Sequence, residues 1–159
     1  GYIGMIPVPI ILTVIIFGIS AYLFYKTKFG RYTVSIGSNE EAAKLVAINV
    51  DKIKILVFVL SGVFCAIAGI ILASRSEAAI PTAGNAYEMD AIAATVIGGT
   101  SMSGGKGNMF GTALGAILMA TIKNGLSLLN VNTFWHQVVI GLFILFAVAL
   151  DGFAAKKAN

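Results

Sequence analysis

The sequence predicts an all-α membrane protein, a polytopic bundle of transmembrane helices, and three observations lead to that fold class. Hydrophobic residues make up 58% of the 159 residues and charged residues only 11%, whereas a soluble domain carries about a quarter charged residues. The mean hydropathy is +0.92. Four long apolar stretches divide the chain, and glycines interrupt one of them. We expect a single transmembrane domain over 1–159, the C-terminal part of something larger, because the chain begins at Gly1 rather than at Met.

The four apolar stretches give predicted spans at 6–25, 53–73, 91–122 and 134–150. Each of the first two is long enough to cross a hydrocarbon core about 30 Å thick. The third is an interrupted pair, in which two short apolar runs are joined by a loop of Gly, Ser, Thr and one Lys. Lipid offers irregular backbone no hydrogen-bond partners, so this loop must be surrounded by protein or line a cavity. The interruption therefore indicates a transport path.

The placement of charge predicts the orientation of the chain. Six basic residues lie within 26–54, whereas 74–90 carries one base against three acids. By the positive-inside rule, the first loop and the C-terminus are cytoplasmic, and 74–90, including Ala79, is external. Since the last span must end inside, the interrupted pair must enter and return on the same side. It is either a re-entrant hairpin or two full, short crossings with the loop at the cytoplasmic end.

A short helix is predicted within the first cytoplasmic loop, in the segment 38–49. Ser38 and Glu41 fit a capping box, and Asn39 is an alternative cap. The apolar run that follows predicts about ten helical residues, ended by Asn49. This helix is either a connector on the membrane surface or a docking site for a cytoplasmic partner. The candidate docking residues are Asn39, Glu40, Glu41, Ala42, Ala43 and Leu45.

Small residues repeat at helical spacing on both sides of the interruption. Such rows allow helix backbones to approach closely in a bilayer, and tight helix packing is the interpretation they favour. Asp90 is expected to cap a helix that begins at Ala91. The two rows are Gly107, Gly111 and Gly115, and Ala91, Thr95 and Gly99.

The residue patterns that catalysis and cofactor binding require are missing from the sequence. The glycine loop departs from a phosphate-binding loop because Gly105 stands where that pattern requires lysine. His136, the single histidine, begins the last span, where an interfacial role is expected. Cys65, the single cysteine, offers neither a disulfide nor a metal pair. We expect no catalytic, cofactor-binding or metal-binding residue, no enzymatic activity and no nucleic-acid partner.

Two long stretches are similar to a known family. They are GRYTVSIGSNEEAAKLVAINVDKIK at 30–54 and PTAGNAYEMDAIAATVIGGTSMSGGKGNMFGT at 81–112. Both resemble the C-terminal half of the permease subunit of ribose-type ABC sugar importers, and the resemblance runs from about Gly30 to Asp151. One departure is Ala47, where a glycine often precedes the Ile-Asn pair; the predicted helix is expected to be slightly stiffer there.

The resemblance implies a monosaccharide permease, multi-pass in the bacterial inner membrane, with a cytoplasmic C-terminus and no ATP site or cofactor of its own. Two permease subunits would form the path, two ATP-binding subunits would drive it, and a periplasmic binding protein would deliver the sugar. The segment 38–49 would be the coupling segment and 90–107 the signature loop. The candidate path-lining or hinge residues are Gly98, Gly99, Thr100, Ser101, Ser103, Gly104, Gly105, Lys106 and Gly107.

Other classes of function stay open on the residues alone. One is a permease for another small polar solute. Another is a secondary transporter or channel with a re-entrant loop, which would need intramembrane carboxylates, and no acidic residue lies inside the predicted spans. A non-transporting scaffold would leave the interrupted segment and the small cytoplasmic helix without a use.

Overall fold

The computed structural model describes residues 2–3, 6–76 and 81–157. Ala79, expected in the external loop, lies outside the described residues. The all-α fold class is confirmed, with one addition near the N-terminus. There, β1 (Tyr2–Ile3) and β2 (Ile6–Pro7) form a small antiparallel pair. The chain divides into two compact units, Gly1–Ala83 and Gly84–Asn159.

The first unit contains two long apolar helices and two short ones between them. α1 and α4 are both long and apolar enough to cross a membrane. Pro9 lies in the first turn of α1, where its missing N–H leaves no hydrogen bond unmade. Asn49 caps the start of α4: its side-chain oxygen accepts a hydrogen bond from the Lys52 N–H at 3.0 Å. The helices are α1 (Val8–Lys26), α2 (Lys28–Ser38), α3 (Glu40–Leu45) and α4 (Val50–Ser76).

The second unit consists of α5 (Tyr87–Ile97), α6 (Met109–Leu128) and α7 (Thr133–Lys157). α6 is long and apolar enough to cross a membrane, and α7 contains a shorter apolar stretch, Phe134–Ala149. α5 has 11 residues, so it is only about 16 Å long. All three helices contribute to the buried core of this unit, which consists of Ala93, Ala94, Met119 and Ile140.

The expectation that Asp90 caps a helix beginning at Ala91 is wrong. α5 begins four residues earlier, at Tyr87, after a turn in which Ala86 takes a left-handed conformation with φ 66°. The Tyr87 N–H donates to the Gly84 carbonyl at 3.2 Å, and this bond closes the turn. Asp90 lies in the first turn of α5, and its carboxylate is paired with Lys123 of α6 instead.

Helices α3, α5 and α6 end in the same way, in a Schellman motif. In this motif a residue just past the helix takes a left-handed conformation, and its own N–H and that of the following residue return to carbonyls of the last turn. The left-handed residues are Ala47 (φ 60°), Gly99 (φ 86°) and Asn130 (φ 53°). After α6, for example, the Val131 N–H donates to the Leu126 carbonyl at 3.1 Å.

Candidate translocation and coupling sites

Helices α5 and α6 form a hairpin whose backbones touch at glycines. A Cβ placed on Gly98 would lie 2.4 Å from the backbone of Gly111, and one placed on Gly111 would lie 1.9 Å from the Gly98 carbonyl oxygen. One turn further along, a Cβ on Gly115 would lie 2.1 Å from the carbonyl oxygen of Ala94. No side chain larger than hydrogen fits at these three positions without separating the two helices.

The small-residue rows of the sequence analysis are corrected at two points. Gly111 and Gly115 do lie in the helix contact, but Gly107 precedes α6, which begins at Met109. On the other side of the contact, Ala94 and Gly98 meet Gly115 and Gly111, each one position before the predicted Thr95 and Gly99. The reason is that α5 ends at Ile97, so Gly99 belongs to the turn that leaves the helix.

The loop 98–108 is held by a chain of backbone hydrogen bonds. The Thr100 N–H donates to the Thr95 carbonyl at 3.0 Å, which turns the chain away from α5. The Ser101 N–H donates to the Lys106 carbonyl at 3.2 Å, and the Gly104 N–H donates to the Ser101 carbonyl at 3.2 Å. The Asn108 N–H reaches Thr100 Oγ1 at 3.4 Å. These bonds hold the loop in a compact turn.

Three glycines of this loop occupy conformations that other residues rarely adopt. Gly99, Gly104 and Gly105 have φ values of 86°, 88° and 76°. A Cβ on Gly99 would meet nothing within 4 Å, so the requirement there is conformational rather than steric. Gly98, by contrast, has an ordinary φ of −69° and is required for close approach. The loop thus uses glycine for two different physical reasons.

The remaining loop candidates lie on the exposed side of this turn or at its base. Ser103 and Lys106 are exposed, while Thr100, Ser101 and Gly107 are partly buried. Asn108 caps α6, because its side-chain oxygen accepts a hydrogen bond from the Gly111 N–H at 3.0 Å. The structure therefore brings all nine path candidates into one turn at the closed end of the α5–α6 hairpin.

A second polar cluster lies at the other end of the same hairpin. Lys123 Nζ forms an ion pair with Asp90 Oδ2 and lies 5.5 Å from the centre of the Tyr87 ring. The Lys123 and Asp90 side chains are only 33% and 21% exposed. The pair lines a cleft of about 490 Å³ beside α7, and His136 lies on the α7 wall of that cleft.

Two polar atoms of this cluster are buried and have no hydrogen-bond partner among the described residues. They are Asp90 Oδ1 and His136 Nε2. A buried polar atom without a partner costs about 1–3 kcal/mol, so such atoms call for an explanation. Among the described residues, no three His, Cys, Asp or Glu side chains lie close enough together to hold a metal ion.

Sequence reasoning missed this second cluster, although a signal for it was available. Lys123 follows directly after the predicted interrupted pair 91–122, and Asp90 directly precedes it. If the pair folds back as a hairpin, the residues at its two ends meet. An acid at one end and a base at the other are then the pairing that low dielectric surroundings favour.

The coupling segment contains a shorter helix than the sequence predicts. Asn39, not Ser38, is the cap: its side-chain oxygen accepts from the Ala42 N–H at 3.0 Å. Ser38 cannot serve because it is the last residue of α2. α3 then ends at Leu45 rather than at Asn49, because Ala47 turns left-handed and the Ile48 N–H donates to the Ala43 carbonyl at 3.2 Å. The expected stiffening of a helix at Ala47 is wrong, since Ala47 lies outside α3.

Glu40 ties α3 to the following transmembrane helix. Its carboxylate meets Lys54 Nζ of α4 at 2.6 Å and Lys44 Nζ of its own helix at 3.0 Å. The pKa of Glu40 lies below its usual value of 4.5, first because of the hydrogen bond from Lys54 and next because of the hydrogen bond from Lys44. The same pairing raises the pKa of Lys44. These contacts orient α3 on the end of α4.

The two faces of α3 differ in exposure. Ala43 is 3% exposed, so it packs against its own chain, as does Val50 at the start of α4, which is also 3% exposed. Leu45 is 88% exposed and Val46 is 70% exposed. Asn39, Glu41 and Ala42 are exposed as well. The end of α3 therefore presents a small apolar knob, Leu45 and Val46, that the described residues of its own unit do not cover.

Comparison with known proteins places the chain among membrane permeases. A family model described as branched-chain amino acid transport system, permease component, matches residues 2–148. The chain is 50% identical over 151 residues to the ribose import permease protein RbsC of Bacillus subtilis (strain 168), a match that covers 95% of this chain and 47% of that protein. No solved structure matches the chain.

Two further relatives extend the comparison. The ribose import permease protein RbsC of Haemophilus influenzae is 45% identical over 157 residues, which is 99% of this chain and 49% of that protein. The xylose transport system permease protein XylH of the same organism is 46% identical over 152 residues, or 96% of this chain and 40% of that protein. The chain spans about half the length of these curated relatives, or less. With the family match running over nearly all of its residues, the chain belongs to the family of branched-chain amino acid transport system permease components and is a multi-pass membrane protein.

Proposed function

We propose that the chain is the C-terminal half of the transmembrane permease subunit of an ABC importer that moves a monosaccharide such as ribose across the bacterial inner membrane. The observation that carries this proposal is the 45–50% identity to ribose import permeases over more than nine-tenths of the chain. The fold is compatible with it, since α1, α4 and α6 are long enough to cross a bilayer and a glycine-rich turn joins α5 to α6.

The permease has no covalent chemistry to perform in this proposal. It binds no cofactor of its own, and ATP is bound by a separate ATP-binding subunit. A second permease subunit completes the path, and a periplasmic sugar-binding protein delivers the cargo. Conformational change then alternates the access of a central cavity between the two sides of the membrane, with helices moving as rigid pieces.

The exposed end of α3 is the proposed contact with the ATP-binding subunit. Leu45 and Val46 form an apolar knob that fits a groove, and Glu40 holds the helix to α4 through Lys54. Movement of the partner would therefore be passed directly to a transmembrane helix. In this arrangement α3 and the C-terminus are cytoplasmic, in agreement with the basic residues around them.

The loop 98–108 is proposed to lie on or beside the transport path, and α5 to be a re-entrant helix. At about 16 Å, α5 is too short to cross a hydrocarbon core of about 30 Å. Two backbone hydrogen bonds, Ser101 to Lys106 and Gly104 to Ser101, close the loop on itself, and irregular structure at membrane depth needs such partners within the protein. Its exposed hydroxyl at Ser103 and its backbone groups suit a neutral, hydroxyl-bearing cargo.

A second candidate cargo is a different small polar solute. The observation that favours it is the description of the matching family, which names branched-chain amino acid transport. An amino acid carries two opposite charges, and the Asp90–Lys123 pair could offer partners for both. The relatives of highest identity reported above are nevertheless permeases for ribose and xylose, so the sugar is the first choice.

Uptake measurements on the complete transporter test the proposal. The full-length permease should be expressed with its ATP-binding subunit and binding protein in a host that lacks ribose and xylose uptake. We expect uptake of labelled ribose or xylose that requires both partners and survives a protonophore while cellular ATP is maintained. Uptake of leucine but of neither sugar would mean that the cargo is an amino acid. Uptake abolished by the protonophore alone would indicate a secondary transporter instead.

A further inference from the structure

The cleft between α5, α6 and α7 has the composition of a ligand site. Its volume of about 490 Å³ lies in the range of small-molecule sites, roughly 300–1,000 Å³. Apolar side chains of Met89, Ile140 and Ile144 form much of its wall. Polar groups of Asp90 and His136 converge on it from α5 and α7. An apolar wall with a few converging polar groups is the usual arrangement of a binding site.

The electrostatics of the cleft favour a ligand without net charge. Asp90 and Lys123 neutralise each other in the ion pair, so the pair leaves little field to attract an ion. An anion would face the carboxylates of Asp90 and Glu88, and a cation would face the ammonium group of Lys123. An anion is therefore disfavoured. The field on a ligand comes mainly from Glu88, which is exposed, so water and salt screen it.

The two unpartnered atoms specify the chemistry further. Asp90 Oδ1 can only accept a hydrogen bond, while the His136 Nε2 atom accepts or donates according to its tautomer. A hydroxyl group satisfies both, because it donates one hydrogen bond and accepts two. A molecule with several hydroxyl groups could satisfy both atoms at once and still rest its apolar faces on the isoleucines.

We propose that this cleft is a sugar-binding subsite of the permease, in which Asp90 Oδ1 and His136 Nε2 receive hydroxyl groups of the transported monosaccharide. The inference rests on the proposed function and adds a place where the cargo binds, separate from the glycine loop at the opposite end of the hairpin. Lys123 is a positioning residue here, since its ion pair engages Asp90 Oδ2 and leaves Oδ1 without a partner.

The subsite lies near the end of the hairpin that the sugar would reach first. Lys123 precedes the end of α6 by five residues, which is about 8 Å along the helix. With the orientation proposed above, this is the external end. The cleft would therefore hold the sugar after its release by the delivery protein and before the path opens to the cytoplasm.

Protection of an introduced cysteine gives a direct test that does not depend on damaging the site. Gln137 lines the cleft and is exposed; Asn124 is exposed but does not line it. Gln137→Cys and the control Asn124→Cys should be made with Cys65→Ser in the complete transporter in vesicles. Labelling by a membrane-impermeant maleimide is then compared with the delivery protein alone and with the delivery protein plus ribose.

We expect ribose to slow labelling at position 137 severalfold and to leave position 124 unchanged. Unchanged labelling at 137 in vesicles that import ribose would overturn the subsite while the proposed function stands. Protection by leucine and not by ribose would overturn the sugar as the occupant. Vesicles that import no sugar at all would overturn the proposed function, and the subsite with it.

A charge reversal separates sugar binding from helix packing. Asp90→Asn should lower ribose import by about tenfold, the usual effect of losing a hydrogen bond to a charged group. Asp90→Lys combined with Lys123→Asp restores the ion pair and should restore membrane abundance, but import should stay low because the carboxylate now belongs to α6. Full import by the double variant would mean that the pair serves packing alone and would overturn the assignment of Asp90.

Conservative replacement tests His136 in the same assay. His136→Gln keeps a nitrogen and an oxygen that can bond a hydroxyl, whereas His136→Leu keeps only the volume. We expect the glutamine variant to retain more import than the leucine variant at equal membrane abundance. Equal import by both, at the level of the unmodified permease, would remove His136 from the subsite.

Discussion

Gly98 and Gly111 exclude each other's side chains: a Cβ on either residue would lie within 2.5 Å of the backbone of the other. The contact is reciprocal, so the backbones of α5 and α6 touch directly at the point where the loop closes. In a bilayer, helices gain little from apolar burial and associate through such close packing. The geometry of the loop therefore depends on two hydrogen atoms in place of two side chains.

The first prediction concerns this packing. Gly111→Ala should destabilise the permease by about 1–3 kcal/mol, the cost of over-packing a tight contact, and should lower its abundance in the membrane. Gly125→Ala is a matched control on the same helix, because a Cβ at Gly125 meets nothing within 4 Å. Thermal unfolding of both variants in detergent measures the difference, and equal midpoints would remove the packing role of Gly111.

The second prediction concerns the conformation of the loop. Gly99→Val and Gly105→Val should abolish sugar uptake with little loss of abundance, since β-branched residues are the least tolerated at positive φ. Gly99→Asn should retain uptake, because asparagine adopts this conformation more readily, and a Cβ at Gly99 has room. Lys106→Ala should give a graded reduction. Uptake measured beside membrane abundance separates a loss of transport from a loss of protein. Normal uptake by both valine variants would contradict a role of the loop in transport.

The sequence was sufficient to predict the fold class, because apolar length is a property of each segment taken alone. It also predicted that Gly111 and Gly115 lie in a helix contact, since their spacing shows which face they share. The register of α5 could not be predicted, because its start depends on a left-handed Ala86 that no local pattern marks. The Asp90–Lys123 pair is a contact over 33 positions, which only the folded hairpin creates.

The third prediction concerns the end of α3. Ala47→Gly should stabilise the first unit by about 1 kcal/mol, because a left-handed alanine costs roughly that much and glycine does not. The equivalent positions after α5 and α6 hold Gly99 and Asn130, the two residue types best suited to this conformation. Ala42→Gly, in the exposed middle of α3, is the control and should destabilise instead. Unfolding midpoints that fall for both variants would contradict the Schellman geometry.

The fourth prediction concerns orientation. With Cys65→Ser as background, a cysteine at Thr82 should react with an impermeant thiol reagent added outside intact cells, and one at Ser38 should not. Both positions are exposed, so a difference in labelling reflects the side of the membrane rather than burial. Thr82 is used because Ala79 lies outside the described residues. Labelling at Ser38 from outside would reverse the topology and would place α3 away from any ATP-binding subunit.

The fifth prediction concerns coupling through α3. Leu45→Asp should leave insertion and folding intact, because Leu45 is 88% exposed, yet it should lower sugar-stimulated ATP hydrolysis and uptake together. A carboxylate forced into an apolar contact loses its hydration without gaining a partner.

Ala43→Arg should also abolish uptake, but for a different reason: Ala43 is 3% exposed, so an arginine there disrupts the packing of α3 itself. Lys52→Gln in the first turn of α4 is the matched control, because Lys52 is exposed, lies outside the docking segment and forms no ion pair among the described residues. Co-purification of the ATP-binding subunit, measured beside membrane abundance, separates the two mechanisms. The Leu45 variant should be abundant and poorly bound, and the Ala43 variant should be scarce. Normal ATPase binding and normal uptake by Leu45→Asp would reject α3 as the docking element.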